Sequence, residues 1–176
     1  MAAEEPTFYD DAFANRIRRL LGDRYEAARP RLERMGRLAA GKVDALAALA
    51  DRNGPELVCW DRNGDRIDDV RYHASYEEMR RIVYGEGTIA GAYAEPKAER
   101  DPHALTFALG HLFGMAEAGL YCPVCMTDGA ARVIERFAPP ALVKRYVPRL
   151  GARVDAEEGC MWLTERQGGS DVGANE

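Results

Sequence analysis

The sequence predicts a mainly α-helical chain with one small hairpin and a single strand near its C-terminal end. Three observations carry that expectation. Apolar residues recur at helical spacing through most of positions 8–150. Positions 56–72 break that spacing, with Leu57-Val58-Cys59-Trp60 and Val70-Arg71-Tyr72 flanking Asn63-Gly64. A polar run from Arg153 to Gly159 then gives way to four apolar residues, Cys160-Met161-Trp162-Leu163.

Taken in order, Phe8 to Tyr25 holds an amphipathic helix with Phe13, Ile17, Leu20 and Leu21 on one face. A longer helix is expected from about Ala27 to Ala50, through Leu32, Met35, Leu38, Val43, Leu46 and Leu49. Gly36 and Gly41 weaken it and mark a candidate break, and Asp51-Arg52-Asn53-Gly54-Pro55 ends it. Asn63-Gly64 suits the type I′ turn of a hairpin. Ser75-Tyr76-Glu77-Glu78 reads as a capping box opening a helix with Met79, Ile82 and Val83 inward. Asp101-Pro102 starts the next helix, with Pro at the favoured first position. Its interior is apolar all round to about Gly119, which predicts a central buried helix. Pro123 opens another, Pro139-Pro140 breaks it, and Ala141 to Leu150 forms a short last helix. Arg153 to Gly159 reads as a linker into the strand. The expected division is a helical domain over 1–155 and the start of a β-domain over 156–176.

The 176 residues suffice for one ordinary domain with a sizeable core. A net charge of −5, with acids and bases mixed, disfavours a non-specific nucleic-acid surface. No apolar run reaches membrane-spanning length. The start, Met1-Ala2-Ala3-Glu4-Glu5-Pro6, is acidic and lacks the apolar core of a secretory leader, so a cytoplasmic protein is expected. Cys122-Pro-Val-Cys125 sits in helical context without a second ligand pair. With Cys59 and Cys160 it is expected to be reduced and structural, and no metal ligands are assigned.

The chemistry concentrates at Cys160 to Asn175. The apolar run leads into Thr164-Glu165-Arg166-Gln167-Gly168-Gly169-Ser170-Asp171-Val172. Two glycines allow positive φ and close approach to a ligand, and successive N–H groups in such a loop can cradle phosphate oxygens. A Gly-Gly-Ser loop alone is usually an ordinary turn. Here the pattern runs unbroken from Thr164 through Asn175, and it resembles the first flavin-binding signature of the acyl-CoA dehydrogenase family. The Thr-Glu-Arg-Gln-Gly-Gly-Ser-Asp-Val wording is similar to the alkylation-response branch of that family. So are Asp51 to Leu57, Trp60 to His73, Ala116 to Pro123 and Met126-Thr127.

That resemblance implies an N-terminal helical domain, and the opening strand of a middle β-domain whose remainder lies beyond this chain. It implies FAD as cofactor, with Met161, Trp162, Leu163 and Thr164 along the flavin ring. Gly169 and Ser170 would meet the pyrophosphate, and Ser170 also the acyl-CoA ligand. Core packing and a plain turn are the competing readings of the same residues. For Trp162, core packing and narrowing of the cavity beside the flavin are equally supported. Asp171 reads as a cap, and Glu165 as scaffold. No catalytic residue is assigned, because the family's glutamate base lies outside this sequence. The complete protein is expected to dehydrogenate an acyl-CoA thioester and to form a homo-oligomer. The alternatives are an alkylation-response flavoprotein with little turnover, binding DNA or partners through a missing C-terminal region, and a helical interaction domain with a vestigial flavin loop.

Overall fold

The computed structural model describes residues 5–93 and 103–175. Helix α1 spans Asp11–Leu21, one turn shorter at each end than the periodicity suggests. Asp10 caps it by accepting the Phe13 N–H at 2.7 Å, and Gly22 at φ 54° stops it. Helix α2, Tyr25–Leu38, and α3, Asp44–Arg52, are joined by a π-turn over Ala39–Val43. The expected long helix is therefore nearly continuous, with the irregularity centred on Gly41. Gly36 serves a different purpose. A Cβ there would lie 2.7 Å from Tyr9 Cβ, so glycine lets the incoming chain cross α2. The Phe8 N–H bonds the Gly36 carbonyl at 3.2 Å in that crossing.

Strands β1, Glu56–Trp60, and β2, Arg66–Arg71, form an antiparallel pair, the sheet found among the described residues. The register runs Glu56↔Arg71, Leu57↔Val70 and Val58↔Asp69, then slips to Trp60↔Arg66. The extra residue lies on β2, where Asp68 takes φ 45°. The turn is not type I′, which needs positive φ at both central residues. Gly64 alone has positive φ, 85°. Its N–H closes on Asp61 O at 3.2 Å, while Asp61 Oδ1 accepts the N–H groups of Asn63 and Asp65. The Asp65 and then the Asn63 N–H bonds hold the Asp61 carboxyl below the usual carboxylate range.

Helix α4, Ala74–Gly85, starts earlier than the capping-box reading places it. His73 is the cap, with Nδ1 accepting the Ser75 N–H at 3.2 Å, and Ser75 is buried in the first turn. A short α5, Ala90–Tyr93, follows. Helix α6, His103–Gly114, ends before Gly119, and Pro102 lies outside the described residues. Helix α7 runs Ala118–Phe137 with Glu117 as its cap, so Pro123 sits inside the first third rather than opening it. Helix α8, Pro140–Leu150, starts on the second proline of the pair.

The core lies where α2, α4, α6 and α7 meet. Leu32, Met35, Met79, Val83, Leu109, Leu112, Phe113, Leu120 and Val124 are buried there. Helix α6 is central, as its composition predicts, but Phe107 on it and Met115 just past its end are exposed. Gly110 explains how closely α7 can approach α6. A Cβ on Gly110 would overlap the Tyr121 ring.

Candidate functional site

The site is built on the exposed side of α7 and on the segment that follows α8. That segment is not the free linker its polarity suggests. The Glu157 N–H bonds Arg149 O at 3.2 Å, and Glu157 pairs with Arg149 Nη1 at 2.8 Å. Arg80 of α4 reaches Glu158 Oε1 and Ala156 O, each at 2.8 Å, and Ala156 is buried. Thr127, wholly buried on α7, fixes the next residue. Its hydroxyl donates to Pro123 O at 2.8 Å and accepts the Gly159 N–H at 3.0 Å. The Tyr84 hydroxyl lies 3.3 Å from the same oxygen, and burial pushes its pKa up to about 12. Gly159 rests directly on α7, where a Cβ would lie 3.1 Å from Thr127 Cα and 3.2 Å from Met126 O. Sequence reasoning passed over Thr127 and Gly159. The sequence signals were the Met126-Thr127 resemblance, to which no role was attached, and a lone glycine just before the apolar run.

Beyond Gly159 the expected strand is not formed. Cys160 to Leu163 make no ladder with the hairpin or with any described segment. The physical reason is the absence of a partner: an isolated apolar run has nothing for its N–H and C=O groups to pair with. Trp162 is 89% exposed, and its indole N–H points at Cys160 Sγ, 2.9 Å away. Met161 is also exposed. It lines a groove of about 810 Å³ with Cys122, Cys125, Met126, Val133 and Ile134 of α7.

Residues 164–175 curl into a compact loop. The Glu165 N–H bonds Gly168 O at 3.0 Å, and Asn175 Nδ2 bonds Leu163 O at 2.6 Å. Neither Gly168 nor Gly169 has positive φ. Gly168 is the confined one, since a Cβ there would strike Asn175 Oδ1 and Asp171 O. Gly169 faces open space, with only Thr164 Cγ2 within 3.9 Å of its notional Cβ. Thr164, Gly169 and Ser170 share this exposed loop, while Met161 lies in the α7 groove and Trp162 projects into solvent. Among the described residues, the main-chain N–H groups of Met161, Trp162, Leu163 and Thr164 donate no hydrogen bond, and Asn175 Oδ1 is buried without a partner. These unmatched donors lie in the segment whose Cys160 and Met161 line the apolar groove.

The remaining titratable groups lie elsewhere. His103 Nδ1 stands 3.9 Å from Asp128 Oδ1 between α6 and α7, and burial raises the Asp128 carboxyl. His111 stacks on Phe13 with ring centroids 5.5 Å apart. Among the described residues no group of three or more His, Cys, Asp or Glu is placed to hold a metal ion. No described helix is long and apolar enough to cross a membrane.

Residues 5–155 match the family described as the adaptive response protein AidB N-terminal domain. The chain belongs to that family. It is 30% identical over 149 residues to AidB of Escherichia coli (strain K12), covering 74% of this chain and 26% of that protein. It is 27% identical over 172 residues to acyl-CoA dehydrogenase family member 11 of Caenorhabditis elegans, covering 94% of this chain and 28% of that one. Two solved structures superpose on the whole chain. The apo form of Bd2924 does so with a TM-score of 0.83 and 30% identity, over 36% of its own length. Caenorhabditis elegans ACDH-11, in complex with C11-CoA, gives 0.82 and 26%, over 32% of its length. This AidB-type chain thus spans between a quarter and just over a third of the relatives it matches. The likeness relates it to the acyl-CoA dehydrogenase family.

Proposed function

We propose that this chain forms the N-terminal helical part of an FAD-dependent oxidoreductase acting on acyl-CoA thioesters. The observation that carries the reading is the unbroken Thr164-to-Asn175 pattern, which follows directly on Cys160 and Met161 of the apolar α7 groove in a chain with an AidB-type N-terminal domain. A relative of the same shape is known in complex with C11-CoA, which supports a thioester with an apolar tail. FAD would supply the hydride acceptor when bound. The N–H groups of Trp162, Leu163 and Thr164, with the Thr164 hydroxyl, donate toward the pyrimidine end, where fixed donors favour negative charge. Gly169 and Ser170 face the pyrophosphate or the thioester ligand. Trp162 forms a wall beside the ring, and Met126, Val133 and Ile134 present apolar surface to the tail. Residues 156–176 belong to the β-domain side of this arrangement, and the assembled protein is a cytoplasmic homo-oligomer.

Dye reduction driven by a series of saturated acyl-CoAs tests the reading. A longer form of the protein that holds FAD should turn over, and Thr164→Val should lower kcat at least tenfold. The 176 residues alone should show no turnover, because among the described residues no carboxylate or imidazole lines the groove. Absence of acyl-CoA-dependent reduction in a flavin-loaded longer form would overturn the enzymatic reading.

A further inference from the structure

We propose that Cys160 and the α7 thiols form an oxidisable site that ties the loop segment to α7 across the groove. Cys122, Cys125 and Cys160 are all exposed, and all three line the same cleft with Met126 and Met161. Cys59, the fourth cysteine, lies in the hairpin and takes no part. Cys122 and Cys125 are three residues apart within α7, so their Cβ atoms stand about 5–6 Å apart. A disulfide needs roughly 3.5–4.5 Å, so the helical pair cannot close on itself without unwinding. The partner of either is the thiol on the facing wall.

Cys160 is positioned for that role by the residue before it. Gly159 is held to Thr127 by its N–H and lies against Met126 and Ala130. The chain therefore leaves α7 over Met126, Thr127 and Ala130, and Cys160 faces the groove that Cys122 and Cys125 also line. Past Gly159, the hydrogen bonds of 160–175 among the described residues run within the segment itself. The Trp162 indole N–H donates to Cys160 Sγ at 2.9 Å, and the thiol is exposed to solvent and so to an oxidant.

The oxidant is a hydroperoxide. The Cys160 thiolate attacks the distal peroxide oxygen, the O–O bond breaks, and an alcohol or water leaves after taking a proton. The sulfenic acid so formed is attacked by the Cys122 or Cys125 thiolate, which forms the S–S bond and releases water. Two thiols are oxidised by two electrons, and one hydroperoxide is reduced. The bond would staple Met161 and Trp162 over the groove.

Peptide mapping under non-reducing conditions tests this on the purified protein, reduced, treated with hydrogen peroxide and quenched with iodoacetamide. The expected result is an intramolecular product lacking two hydrogens, with Cys160 joined to Cys122 or Cys125. Cys59 should remain alkylated. Cys160→Ser should abolish the link, while Cys122→Ser and Cys125→Ser should each retain one to the remaining α7 thiol. A Cys122–Cys125 bond, a purely intermolecular product, or over-oxidised Cys160 without any link would overturn the proposal.

Discussion

Thr127 shows how one hydroxyl can set the position of a functional segment. It is wholly buried, yet its oxygen serves Pro123 O, the Gly159 N–H and Tyr84. Thr127→Val keeps the shape and strands the Gly159 N–H. An unsatisfied donor costs about 1–3 kcal/mol when fully buried, and Gly159 is half-buried, so denaturant unfolding should register a loss toward the lower end of that range. Cleavage by a protease between Gly159 and Glu165 should speed up in the same variant. Unchanged stability and cleavage would mean that the segment is held by other contacts. Asp128 offers a test with a definite sign. Burial raises its carboxyl in the native state, with His103 pulling the other way more weakly. The native protein therefore keeps this proton to higher pH than the unfolded chain does. That contribution to stability falls as pH rises from the ordinary value of 3.8 through the raised native one. Asp128→Asn should accordingly gain stability relative to wild type between pH 4 and pH 7, as followed by Tm. A gain that shrinks with rising pH would contradict the burial argument.

At the scale of elements, what the sequence made legible was governed by local rules. Helical periodicity located α1, the α2–α3 rod, α4, α6, α7 and α8, and the glycine-bearing turn located the hairpin. Their ends were less legible, because caps depend on one side chain finding one N–H. His73 outcompetes Ser75 at α4, and Glu117 starts α7 ahead of Pro123. The strand at Cys160 failed for a non-local reason: β-structure needs a second segment, and none of the described residues supplies one. The packing inside the loop was not legible either. Gly168 is confined by Asn175 and Asp171, contacts invisible until the loop folds back, whereas Gly169 is open. The α6–α7 crossing gives a prediction at this scale. Gly110→Val would drive a side chain into the Tyr121 ring and should cost about 1–3 kcal/mol in thermal or chemical unfolding. Gly64→Val, at φ 85° in the exposed hairpin turn, should cost roughly 1–2 kcal/mol locally and leave the helical core intact by amide exchange.

For the molecule as a whole, the helical body and the loop have unequal standing. The body folds around a continuous core and matches its relatives from end to end. The loop offers roughly two to four donors, worth about 0.5–1.5 kcal/mol each. Association costs about 4–15 kcal/mol, so residues 160–175 alone should hold FAD weakly or not at all. Strands, helices and a neighbouring subunit of a larger assembly would supply the difference. Flavin absorbance after gel filtration is the most direct measurement. It should be made on the 176-residue chain, on the longest form of the protein found in its cells, and on the Thr164→Val/Ser170→Ala double variant of that form. The account predicts no retained flavin on the short chain, stoichiometric FAD on the long form, and marked loss from the double variant. Stoichiometric FAD on the short chain, or undiminished FAD on the double variant, would show that this loop is not the flavin site.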